Sequence, residues 1–120
     1  MRRDPRAYLW DMQEAADLVV KFVGAATLES FLGNELMRSA VERQMQNLGE
    51  ALAQLAKVDA ALAARIPDCA EIIAFRNVLV HGYTTLNHKR VWETVRDDLP
   101  VVRAAAKALL TELGPPTNPP

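Results

Sequence analysis

The sequence predicts an all-α protein, an antiparallel bundle of four main helices with a short extra turn near residues 28–32 and a kink near Pro100. Aromatic residues make up 6% of the chain, whereas alanine, leucine and valine are plentiful, and this composition favours packed helices over sheets. Apolar residues recur at steps of three and four, and no strand pattern or internal repeat competes with them. The 120 residues fit one domain, over residues 1–114, followed by a disordered proline-rich tail at 115–120.

The first predicted helix spans about residues 5–23. Asp4 precedes it as the N-cap, and Pro5 occupies the first helical position, where a missing N–H is tolerated. Gly24 can end the helix. Its apolar stripe consists of Leu9, Met12, Ala16, Val19 or Val20, and Val23.

The second main helix is capped by Asn34 and runs to about Lys57, after a short turn whose Phe31 is expected to close one end of the core. Its stripe consists of Met37, Val41, Met45, Leu48, Leu52 and Leu55. Gly49 lies inside this helix, where glycine costs about 1 kcal/mol relative to alanine. Close approach by a neighbouring helix is the simplest reason for a glycine there.

The third main helix is predicted from Asp68 to about His81, with Gly82 as a left-handed C-terminal residue. It follows an alanine-rich extra turn within residues 60–65, and Ile66 precedes a proline, which disfavours the α conformation.

The last helix begins after the cap Asn87, and Pro100 should kink or break it after Leu99. Its stripe consists of Val91, Val95, Leu99, Val102, Ala106, Leu109 and Leu113.

Net charge, cysteine content and the length of the apolar runs limit the ligands and the cellular locations expected for the chain. The net charge of −1 does not indicate a general nucleic-acid binder, so any RNA affinity needs a local patch. Cys69 is the single cysteine and is interpreted as a small buried hydrophobe rather than a metal ligand or half of a disulfide. No apolar run is as long as a membrane-spanning helix, and a cytoplasmic location is expected. No cofactor is expected.

Residues 76–83 hold the densest group of chemically active side chains in the chain, namely Arg76, Asn77, His81 and Tyr83. On a helical wheel, Arg76 falls within the apolar arc of the third helix. Asn77 and His81 share the opposite side with two alanines. An arginine turned toward a core requires an anionic partner.

Two glutamates of the second helix, Glu42 and Glu50, are candidates for the resident partner of Arg76, and a phosphate oxygen is a candidate ligand. Asn77, one turn before His81, can hydrogen-bond the imidazole and set its tautomer.

Arg76 and His81 are five residues apart and therefore point about 140° away from each other on a regular helix. Three solutions stay open: the reach of the arginine, a helix end near His81, or completion of the site by a second copy of the chain.

Taken singly, these residues have ordinary interpretations. The arginine can form a surface salt bridge, the histidine can be structural, the asparagine can make a polar contact on the side of the helix, and the tyrosine can lie in an interface. His88 follows a helix cap and is interpreted as a solvated residue without a role.

Together they match a pattern. Arg76-Asn77, His81 and Tyr83 follow the R-N-x-x-x-x-H-x-Y motif, and this stretch resembles HepT-like proteins of the HEPN superfamily of helical ribonucleases. The segments AVER at 40–43 and LGEA at 48–51 are similar to that family's second helix, as are the proline before the motif helix and the Val-Trp pair at 91–92. Two positions depart from the family pattern. Asp68 stands where the family often has tryptophan, and a leucine precedes Gly49 where the family usually has isoleucine.

The resemblance implies a metal-independent endoribonuclease toxin of a toxin–antitoxin system. In that scheme His81 is a general acid/base for attack of the RNA 2′-hydroxyl on the phosphodiester, Arg76 stabilises the transition state, Asn77 orients the site and Glu50 supports it. The product is a 2′,3′-cyclic phosphate, from a tRNA or mRNA substrate.

The resemblance also implies partners. These are a second copy of the chain in a homodimer and a minimal nucleotidyltransferase antitoxin that adenylylates Tyr83. The alternatives are a non-catalytic helical module that accompanies a nucleotidyltransferase, and a plain dimerisation protein.

Overall fold

The computed structural model describes residues 3–81 and 86–116 of the chain, and these residues form helices and no strand. The helices are α1 (Pro5–Val23), α2 (Leu28–Leu32), α3 (Glu35–Val58), α4 (Ala60–Ala63), α5 (Cys69–His81), α6 (His88–Asp97) and α7 (Leu99–Leu113). The all-α class is therefore confirmed, together with the short turn near residues 28–32. The last predicted helix is present as two, α6 and α7.

Polar side chains cap the helices where the sequence predicts. The Asp4 carboxylate accepts the backbone N–H of Arg6 at 2.9 Å, and the Asn34 side chain accepts that of Met37 at 2.9 Å. Asn87 caps α6 in the same way. Each cap satisfies a backbone donor that the first turn of a helix leaves without a partner.

The break near Pro100 lies slightly earlier than predicted. Helix α6 ends at Asp97 and α7 starts at Leu99, so the chain breaks before Leu99 and not after it. Pro100 thereby occupies the first turn of α7, where its missing N–H breaks no helical hydrogen bond. The start of α5 also differs, because Asp68 has a φ of 58° and the helix begins one residue later.

Helix α3 is the centre of the bundle. Helix α1 packs along α3 and α7, α5 packs against α3, and α6 contacts α7 and α2. The predicted stripes of α1 and α3 lie in one core, and Phe31 is fully buried, with its ring centroid 5.2 Å from that of Trp92. This placement confirms that Phe31 closes one end of the core.

Helix α5 has α3 as its one broad neighbour, so it lies at the edge of the bundle. Ile72, Phe75 and Leu79 are its buried residues. Val78 and Val80 are exposed. Helix α5 therefore presents apolar side chains that the described part of the protomer leaves exposed.

Three smaller expectations have different outcomes. Cys69 is partly buried, and burial raises the pKa of its thiol, which disfavours the reactive thiolate. The expectations for Gly82, for Tyr83 and for residues 117–120 lie outside the described residues. None of the described helices combines the length and the apolar character that a membrane crossing requires.

Candidate functional site

Gly49 and Arg76 form a close contact between α3 and α5. A Cβ atom added to Gly49 would lie 2.4 Å from the Cβ of Arg76 and 2.9 Å from its Cγ, distances at which carbon atoms overlap. The glycine therefore lets the stem of Arg76 lie directly on the backbone of α3. This contact confirms the expectation that a neighbouring helix explains Gly49.

The guanidinium of Arg76 is held by two oxygen atoms. Its Nη2 lies 2.5 Å from Oε2 of Glu50, and its Nη1 donates to Oδ1 of Asn77 at 2.7 Å. The side chain is 21% exposed, so the pair lies at the rim of the core. Of the two candidate partners, Glu50 is the one that pairs with Arg76.

This pairing leaves the guanidinium with spare capacity to bind an anion. Its Nε is enclosed and has no hydrogen-bond partner among the described residues. The donors open to an anion are therefore the N–H groups of Nη1 and Nη2 that Asn77 and Glu50 do not use. Glu50 is half exposed and also accepts a hydrogen bond from Gln54. A phosphate oxygen can therefore join the guanidinium or replace the carboxylate, as bidentate arginine geometry allows.

Asn77 and His81 do not form the pair that was expected. The amide oxygen of Asn77 is bound by Arg76, so the prediction that Asn77 orients the imidazole is wrong for this conformation. The long side chain of Arg76 reaches the neighbouring residue around the helix, which a wheel of Cα positions does not represent. His81 lies exposed in the last turn of α5, away from the buried stem of Arg76. The separation of the two residues onto different sides is thus confirmed.

A second side-chain contact of an α3 glutamate was missed. The Nδ1 of His88 lies 3.3 Å from Oε2 of Glu42, so His88 is not simply a solvated residue. The sequence indicates that Glu42 faces α5, because Glu42 and Gly49 are seven residues apart and therefore share one side of α3. The side of α3 that faces the motif helix therefore carries both glutamates that were considered for Arg76.

A cleft of about 380 Å³ lies between α1 and α3, with Glu50 on its border. Its walls carry Arg3 as well as Asp11 and Glu14, and Arg3 pairs with Asp11 at 2.8 Å. The cleft therefore holds charges of both signs and is not a uniformly positive site for phosphate. Among the described residues there is no group of three or more side chains that could hold a metal ion.

Comparisons with known proteins agree on one family. The profile of a family described as "Ribonuclease HepT-like" matches residues 12–109. The chain is 28% identical over 102 residues to "Putative RNase MJ1380" of Methanocaldococcus jannaschii, covering 85% of this chain and 93% of that protein. It is 29% identical over 109 residues to "Probable ribonuclease HepT" of Thermococcus cleftensis, covering 91% and 98%. No solved structure matches.

The close contact at Gly49 generates a stability prediction. Gly49→Ala should lower the free energy of unfolding by about 1–3 kcal/mol, the usual cost of overpacking, although alanine is the better helix former by about 1 kcal/mol. Urea denaturation followed by circular dichroism measures the difference. Gly33→Ala is the matched control, because an added Cβ there meets its nearest atom at an ordinary 3.5 Å, and its stability should stay within about 0.5 kcal/mol of wild type. A stabilised Gly49→Ala variant would contradict the packing argument.

Proposed function

The chain belongs to the HepT-like ribonuclease family, and from this premise we propose that it is a metal-independent endoribonuclease toxin of a toxin–antitoxin system. The observation that carries the proposal is the guanidinium of Arg76. The Gly49 contact holds it at the rim of the core, and a half-exposed carboxylate that a phosphate can replace pairs with it. Burial of the arginine stem orders the side chain before RNA binds. In many enzymes, charges that are already in position before the substrate binds make the largest single contribution to catalysis.

In the proposed reaction the 2′-oxygen of a ribose attacks the adjacent phosphorus, and the bond from phosphorus to the 5′-oxygen breaks. Arg76 stabilises the negative charge that builds up on the phosphoryl oxygens. His81 acts as a general acid/base on the attacking or leaving oxygen. The products are a 2′,3′-cyclic phosphate and a 5′-hydroxyl end, and Asn77 supports the site through its bond to Arg76.

A homodimer is the second part of the proposal. The outward side of α5 carries exposed Ala70, Ala74 and Val78 near Asn77 and His81, and small residues allow close approach of a second helix. Burial of this side against its symmetry mate would place two copies of the motif at one cleft. Arg76 of one protomer and His81 of the other would then contact the same phosphodiester.

Regulation is the third part. A minimal nucleotidyltransferase antitoxin is proposed to attach adenylate to Tyr83, which follows His81 by two residues in the sequence. The added phosphate would compete with RNA for Arg76 and repel the RNA backbone.

Loss of either motif residue should strongly slow RNA cleavage. We expect His81→Ala to lower the rate about 10²–10⁴-fold, the usual contribution of a general acid or base, and Arg76→Ala to lower it about 10²–10³-fold. The measurement is cleavage of total RNA in EDTA, followed by identification of the 2′,3′-cyclic phosphate ends. Arg65→Ala is the control, because Arg65 forms an exposed pair with Glu112 outside the site. Intact RNA with the wild-type protein would leave the non-catalytic companion module as the better interpretation.

A composite site predicts complementation between two inactive variants. When Arg76→Ala and His81→Ala proteins are mixed and allowed to exchange protomers, the heterodimer has one site with both residues intact. Cleavage should then return to about a quarter of the wild-type activity, since half of the dimers are mixed and each has one working site. Mixing Arg76→Ala with an Arg76→Ala,His81→Ala double variant is the control. If only the control level is seen in a verified heterodimer, each protomer has its own complete site.

The modification of Tyr83 has a built-in control, because the chain contains two tyrosines. Co-expression with a minimal nucleotidyltransferase encoded beside the gene should add adenylate-sized mass increments to wild type and Tyr8→Phe. The increments should be missing from Tyr83→Phe, as measured on the intact proteins. Increments that persist in Tyr83→Phe would place the modification elsewhere.

A further inference from the structure

The proposed cleavage moves two protons. The 2′-hydroxyl loses one as it attacks phosphorus, and the 5′-oxygen gains one as it leaves. The attacking and leaving oxygens lie roughly in line on opposite sides of the phosphorus, so one imidazole does not serve both in a single step. His81 provides one group, which raises the question of where the second is.

His88 has the surroundings of a positioned imidazole. Its Nδ1 lies 3.3 Å from Oε2 of Glu42, and both atoms are enclosed by protein without a hydrogen-bond partner among the described residues, so a donor and an acceptor that need each other lie side by side. The Glu42 side chain is 19% exposed and that of His88 is 39% exposed, so the carboxylate is the inner member of the pair. The carboxylate can accept the Nδ1–H, and Nε2 then carries the lone pair that takes up a proton. A serine-protease histidine is oriented by its aspartate in this way.

The pair lies at the same end of α5 as His81. The side-chain amide of Gln46 contacts the backbone oxygen of Leu79 at 3.5 Å, whereas Gly49 contacts Arg76, so α3 and α5 run antiparallel. Glu42 lies about 6 Å along α3 beyond Gln46, and His81 lies about 3 Å along α5 beyond Leu79. Along the bundle axis, His81 and the Glu42–His88 pair are therefore within about one helical turn of each other.

We infer that His88, oriented by Glu42, is a second catalytic residue, the base that removes the proton from the 2′-hydroxyl; this inference rests on the proposed ribonuclease reaction. The proton passes to Nε2 of His88 while the bond from the 2′-oxygen to phosphorus forms. The bond from phosphorus to the 5′-oxygen breaks, and that oxygen takes a proton from His81. Each imidazole ends in the protonation state in which the other began, and solvent restores both.

The test uses RNA in which sulfur replaces the bridging 5′-oxygen at the cleavage site. Thiolate is a far weaker base than alkoxide and leaves without a proton, so it removes the need for an acid but not for a base. His81→Ala should be about 10²–10⁴-fold slow on normal RNA and near wild type on the sulfur-containing RNA. His88→Ala should be slow on both. Added imidazole should restore part of the His88→Ala rate, which a merely structural role would not produce.

Three further variants make the outcome decisive. Glu42→Gln should reduce cleavage less than His88→Ala does, because it leaves the imidazole in place. Lys89→Ala, an exposed neighbour in the first turn of α6, should cleave as wild type does. His88→Gln keeps a polar side chain if His88→Ala unfolds, and thermal unfolding reports the fold of each variant.

Two results would overturn the inference while leaving the proposed function intact. In the first, folded His88 variants cleave at the wild-type rate, so that the pair only ties α3 to α6. In the second, the sulfur substitution rescues His88→Ala, which would make His88 the acid and not the base. A wild-type protein that cleaves neither RNA would instead remove the proposed function on which the inference rests.

Discussion

The close approach of α5 to α3 at Gly49 is the constraint on which the candidate site depends. A side chain at this position would overlap the Arg76 stem, so α5 would have to move outward. The arginine would then lose the packing that orders it and the carboxylate of Glu50 that neutralises it. When the aliphatic part of an arginine is buried and its charged end stays at the rim of the core, packing offsets the loss of side-chain entropy while the charge stays near water. Glycine at this position lowers the stability of helix α3 by itself, and the tertiary contact with Arg76 offsets this loss.

Much of the fold was predictable because the signals for it are local. Caps such as Asn34 and the proline after Ile66 act within a few residues of their own position, and the apolar stripes mark which side of each helix is buried. The resemblance of the motif identified the family that the profile match supports. Contacts between distant residues were harder to predict. Glu42 and His88 lie 46 positions apart, and only the tertiary fold brings their side chains together. The Asn77 contact was missed because a wheel represents directions from the axis and not side-chain reach.

The electrostatics of the site reconcile an acidic protein with an RNA substrate. The net charge is −1, so long-range attraction of RNA is weak. The positive charge available to phosphate is local, and in the free protein Glu50 and Asn77 occupy it. Displacement of a resident carboxylate by phosphate exchanges one anion for another. The exchange costs less than exposing an unpaired buried guanidinium would, because a buried charge without a partner is strongly destabilising.

The spacing of the motif gives a geometric reason for a shared site. If the arginine and the histidine were four residues apart, they would lie about 40° apart on one side of the helix, and a single protomer could present both to one phosphate. The fifth residue turns His81 away by about 140° in total, and its side chain is exposed among the described residues. Arg76 remains against α3, where Gly49 and Glu50 hold it. Two side chains so separated can act on one phosphodiester when the exposed side of α5 meets a second copy of itself, since a two-fold axis brings the histidine of each protomer toward the arginine of the other. The five-residue spacing, which separates the two side chains within one chain, therefore fits the two-fold symmetric site that we propose.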